Sequence, residues 1–115
     1  MSALIIRANG AHEVLQGPIT LQRIEQALGG WVVDGVTDLG YHVWGADIDV
    51  LDGNIPADPV KYQPNIHVSR LFRLVMWGDV VVTGSPIANS RSNRLAAVDE
   101  NHLALFISHL PKEHA

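Results

Sequence analysis

The sequence predicts an α+β fold: a mostly antiparallel sheet of five or six strands with about three helices packed on it. Three observations predict it. Short β-branched segments alternate with segments whose apolar residues recur at helical spacing. Asn9-Gly10, the strongest short hairpin signal, joins the first two strand-like segments. Glycine, proline and Asp-Gly steps break the chain between most of the rest.

Ala3–Arg7 is apolar and β-branched, and Ala11–Leu15 returns from the Asn9-Gly10 turn as its partner. Gly17-Pro18 ends the hairpin. Thr20 suits a helix N-cap, because its hydroxyl can accept from an unpaired backbone N–H in the first turn. Leu21, Ile24 and Leu28 then share one face, and Gly29-Gly30 stops the helix. Trp31–Thr37 and Tyr41–Val50 read as two further strands around Asp38-Leu39-Gly40. Asp52-Gly53-Asn54 is turn chemistry, and Pro56, Pro59 and Pro64 make 55–64 a loop or irregular edge. Asn65 caps a second helix whose face is Val68, Leu71, Phe72 and Val75. Gly78-Asp79 leads into the short buried strand Val80-Val81-Val82, ended by Gly84-Ser85-Pro86. The polar segment 85–94 reads as an exposed loop, and Leu95–Val98 as a final strand. Asp99 caps a third helix with Leu103, Phe106, Ile107 and Leu110 on one face, stopped by Pro111.

The 115 residues suit a single domain, 1–115, with 47% apolar and 17% charged residues, on the globular side of the boundary with disorder. The chain has no cysteine, which removes disulfides, thiolate metal sites and cysteine nucleophiles together. The opening Met1–Arg7 is too short for a signal peptide and has no basic region before it, and no apolar run reaches the roughly 20 residues of a membrane span. The expectation is a cytoplasmic protein. Residues 1–60 hold two basic against eight acidic side chains, and 61–115 hold six against four, so no strongly basic face favours nucleic acid.

No catalytic centre emerges. The six histidines, His12, His42, His67, His102, His109 and His114, contain no helical i, i+4 pair and no His-Glu-x-x-His. Asp47, Asp49 and Asp52 suggest a calcium loop, but position five from Asp47 is Leu51 and position six is Asp52 where glycine is needed. Neither a nucleophile elbow nor a glycine-rich phosphate cradle is present. No cofactor and no metal site is expected. Trp31, Trp44 and Trp77 read as core anchors. The expected ligand or partner contacts are Arg91, Asn93 and Arg94, since two guanidinium forks beside amide and hydroxyl groups match phosphate or carboxylate.

Three stretches in order carry a family resemblance: Thr20-Leu21-Gln22-Arg23-Ile24-Glu25-Gln26-Ala27-Leu28-Gly29-Gly30, Pro64-Asn65-Ile66-His67-Val68-Ser69-Arg70-Leu71 and Gly78-Asp79-Val80-Val81-Val82-Thr83-Gly84. The chain resembles, over most of 3–84, a small domain-of-unknown-function family of phages, integrative elements and actinobacteria. It departs from that pattern at 55–64, where a shorter turn is expected. The resemblance implies a context, a phage or mobile-element accessory protein in a bacterial cytoplasm, and no activity. The expected function is non-enzymatic binding of a host or phage macromolecule, most readily a protein. The alternative is binding or sequestering a small molecule such as a nucleotide signal. The apolar fraction also raises the expectation of a homo-oligomer, most simply a homodimer.

Overall fold

A computed structural model describes residues 2–29, 33–38, 40–46, 64–74, 76–84 and 96–111. The elements are β1 (Ser2–Ile6), β2 (His12–Gln16), α1 (Leu21–Ala27), β3 (Val33–Asp38), β4 (Tyr41–Ala46), α2 (Ile66–Leu71), β5 (Val80–Gly84) and α3 (Glu100–Ser108). The fold is α+β, with three helices among the described residues. The strands form one antiparallel sheet in the order β2-β1-β5-β4-β3. The two hairpins are local, whereas β5 slots between β1 and β4 from a distant part of the chain.

Alternation along the strands divides the core into two layers, because successive side chains point to opposite faces. Leu4 and Ile6 of β1, Val43 of β4 and Val80 and Val82 of β5 face one way, and Val68, Phe72, Val98 and Leu110 cover them. Ala3, Ile5 and Val81 face the other way and pack on Ile19, Ile24 and Leu28 around α1. The strand β5 is buried throughout, as expected of a run apolar on both faces.

The turn and cap chemistry operates locally as the residue types dictate. Gly10 adopts φ 95°, and Asn9 Oδ1 accepts from the Ala11 N–H at 2.9 Å. Thr20 accepts from the Arg23 N–H at 3.3 Å, and Gly29 takes φ 89° after α1. Asp99 Oδ1 accepts from the N–H groups of Asn101 and His102. Arg7 joins separate parts of the fold: Nη1 donates to the Ala27 carbonyl and to Asp79, and Nη2 donates to Glu13 at 2.8 Å. Burial opposes the Arg7 charge, but the bonds to Glu13 and Asp79 outweigh it and raise its pKa. Asp79 also accepts from the Ala8 N–H at 2.9 Å, which fixes the start of β5 beside the end of β1.

Three expectations are corrected. The helix after Asn65 ends at Leu71, and Phe72 is extended at φ −128° and ψ 158°. The reason is chain length. Trp77 pairs with Pro64, at the start of the helix, so the chain must return along the whole of α2 before β5 begins. A helix continued to Val75 would be about 15 Å long at 1.5 Å per residue, leaving Met76 alone to make the return. Val75 itself lies outside the described residues. The second correction is that residues 96–98 form no strand. Ala96 accepts from the Gly84 N–H and Val98 donates to the Ser2 carbonyl, both at 2.8 Å. The segment therefore crosses the ends of β5 and β1 and runs along neither. The third concerns Trp77, which is 45% exposed and is not a core anchor. The expected strand residues Trp31 and 47–50, the Asp52-Gly53-Asn54 turn and the 85–94 loop lie outside the described residues.

Candidate interaction surface

The surface around Trp77 is built from one buried side chain outward. Asn65 has no solvent exposure. Its Oδ1 accepts from the Val68 N–H at 3.2 Å and so caps α2. Its Nδ2 donates to the Ile6 carbonyl at 3.0 Å and to the Gly78 carbonyl at 2.9 Å. Its backbone N–H donates to Met76 at 2.9 Å, beside the Pro64–Trp77 bridge. One residue thus ties the end of β1, the start of α2 and the approach to β5.

Pointing Asn65 inward forces its neighbours outward. Pro64 is exposed, and Ile66 is 51% exposed. Trp77 lies directly opposite Pro64 in an antiparallel bridge, where facing Cβ atoms come within about 4.5–5.5 Å. Pro64 and Trp77 therefore face each other across the bridge, with the exposed Ile66 two residues after Pro64, on a backbone tied down by Asn65. Ser69 and Arg70 are exposed too, and they lie three and four residues after Ile66, which puts them along the same flank of α2. Polar groups thus border the apolar residues. A tryptophan in an apolar patch with a polar margin is the composition that dominates binding energy at protein interfaces.

A second cluster links β4 to α3. The Tyr41 hydroxyl and His102 Nδ1 form a hydrogen bond. The Tyr41 ring meets the Phe106 ring edge-on at a 5.2 Å centroid distance, and Phe106 lies 5.3 Å from Phe72. This cluster closes the α3 side of the core. On the opposite sheet face His42 tilts against Trp44 at 4.2 Å, and Trp44 Nε1 donates to the buried Thr83 hydroxyl at 2.9 Å. Trp44 is half-buried and held by this bond.

The expected contacts Arg91, Asn93 and Arg94 lie outside the described residues, as do the Asp47–Asn54 segment and His114. The other histidines are dispersed: His12 on β2, His42 on β4, His67 on α2, His102 on α3 and His109 at its C-cap. Among the described residues no group of three or more His, Cys, Asp or Glu side chains could hold a metal ion. No helix among them is long and apolar enough to cross a membrane. The exposure of Trp77 is not legible in its residue type, because tryptophan ordinarily reads as core. A signal for it exists in Ile66, an apolar residue two positions before Val68 and off the stripe formed by Val68, Leu71 and Phe72. Comparison with known proteins finds no matching family model, no matching curated protein and no matching solved structure.

Proposed function

We propose that the chain is a non-enzymatic accessory protein that binds a host or phage protein in a bacterial cytoplasm, using the Trp77 patch as its contact surface. The observation that carries the binding role is the exposure of Trp77 and Ile66 beside Pro64, on a backbone that Asn65 holds rigid. Exposed apolar side chains gathered at one place mark interaction sites, whereas scattered ones need no explanation. Preorganisation strengthens the reading, since a fixed patch loses little conformational freedom on binding. The absence of any recognisable catalytic motif in the sequence supports a role without chemistry. The phage or mobile-element context rests on the family resemblance carried by 20–30, 64–71 and 78–84.

The test is quantitative affinity capture from bacterial lysate with the wild-type chain and with Trp77→Ser. The expected result is a protein retained by the wild type and lost, at least tenfold, with the variant, while both chains melt at similar temperatures. Equal recovery of every captured protein by the two chains overturns the reading. Turnover of a substrate by the purified chain would overturn the non-enzymatic part.

A further inference from the structure

We infer that the outer edge of β2 is a self-association surface, on which a second copy of the chain adds its own β2 in antiparallel register centred on Val14. The proposal is independent of the Trp77 patch. Among the described residues β2 is the outermost strand of the sheet on its side, and it pairs with β1 residue for residue without a bulge. The hairpin bond from the Arg7 N–H to the Ala11 carbonyl sets the parity of the ladder. Along an antiparallel strand the backbone groups of alternate residues point to opposite sides. Glu13 and Leu15 therefore direct N–H and C=O toward β1, and His12, Val14 and Gln16 direct theirs outward.

The five residues His-Glu-Val-Leu-Gln are complementary to themselves in one register. With Val14 opposite Val14 of the second copy, His12 lies opposite Gln16 and Glu13 opposite Leu15. Every outward-pointing residue then meets another outward-pointing residue, so the N–H and C=O groups on that edge satisfy one another. No charged side chain falls directly opposite a like charge. The Glu13 carboxylate is engaged by Arg7 at 2.8 Å, which tempers repulsion between the two diagonal Glu13 residues. The exposed Val14 side chains, 36% accessible, meet across the two-fold axis. Natural edge strands resist such pairing with lysine, proline or a bulge. β2 has none of these within its span. Among the described residues the opposite edge strand is β3, which carries Asp34 and Asp38 and no basic residue, and this disfavours self-pairing there.

The test uses the whole chain, which lacks cysteine, so an introduced thiol is unique. Light scattering of the wild type should give a mass rising with concentration toward twice the 12.5 kDa of one chain. Val14→Pro removes an outward N–H and leaves the bonds to β1 in place, so it should give the monomer mass with an unchanged circular dichroism spectrum. Should that variant fail to fold, cysteine pairs decide. Val14→Cys should oxidise to a covalent dimer, because facing residues of this kind have Cα atoms about 5.5 Å apart, within disulfide reach. Gln16→Cys should not, since its own copy would lie four residues along the strand, roughly 13 Å away. A monomer mass for the wild type at high concentration overturns the proposal. So does a dimer that Val14→Pro leaves intact in a folded chain, or equal crosslinking at 14 and 16.

Discussion

Replacing Asn65 separates two roles that one side chain combines. In Asn65→Ala the helix α2 loses its cap, and the Ile6 and Gly78 carbonyls lose their donor. Loss of a cap costs about 1 kcal/mol. The Ile6 carbonyl keeps its place in the ladder opposite Val80, so the Gly78 carbonyl is the one left unpaired, at about 1–3 kcal/mol more, for a total of about 2–4 kcal/mol. That is a large share of the 5–15 kcal/mol by which a domain of this kind is ordinarily stable. Asn65→Asp keeps an acceptor for the Val68 N–H but, when ionised, sets a carboxylate against two carbonyl oxygens. Such a site favours the neutral acid, so the folded-state pKa lies above the unfolded value. A group raised in this way contributes stability below its unfolded pKa and loses it as the pH rises through the folded pKa. Relative to wild type, Asn65→Asp should therefore be less destabilised at pH 4 than at pH 7, and Asn65→Ala should show no such trend. Urea unfolding followed by circular dichroism reads both quantities. A loss below about 1 kcal/mol for Asn65→Ala would refute the clamp, because a cap alone accounts for that much.

Phe72→Ala should cost about 3–5 kcal/mol, since the ring is 2% exposed, while Arg70→Ala on the exposed flank of α2 should change stability by less than about 0.5 kcal/mol in the same assay. At Gly84 an added Cβ would sit 2.7 Å from Ala96 Cβ and 2.8 Å from the Ala97 carbonyl oxygen, which is backbone and cannot turn aside. Gly84→Ala should then lower the melting temperature measurably, at a cost of about 1–3 kcal/mol. Gly45→Ala meets only the flexible end of Met76 at 2.9 Å and should cost clearly less in the same melting experiment. Trp77→Ser should reduce stability by less than about 1 kcal/mol, as unfolding experiments would show, because nearly half of the side chain already faces solvent.

Local chemistry was the legible part of this fold. Thr20, Asn65 and Asp99 each cap the helix that their side chains predict, and Gly10 and Gly29 take the positive φ that their places in a turn and a helix stop imply. The burial of Phe72 follows from periodicity even though the helix stops one residue earlier. What periodicity does not contain is where the chain must go next. The return from Leu71 to the Pro64–Trp77 bridge cuts α2 short, and that bridge joins residues thirteen apart. The Asn65 amide reads as a cap, but its bonds to Ile6 and Gly78 arise only once β1 and the approach to β5 come together. Likewise 96–98 is extended in conformation and yet no strand, because its two backbone bonds go to different strands. The residue type of Trp77 pointed inward, and its tertiary position points outward.

Site-specific photo-crosslinking in bacterial cells tests the binding role most directly. A photoreactive phenylalanine analogue at position 77 or 66 would sit in the proposed contact, and one at Ser108, exposed on α3, would sit away from those residues in sequence and on another element. The proposed function predicts a discrete adduct with another protein from positions 77 and 66 and none of that mass from 108. The same adduct from all three positions, or none from 77 and 66 in a folded chain, would contradict it.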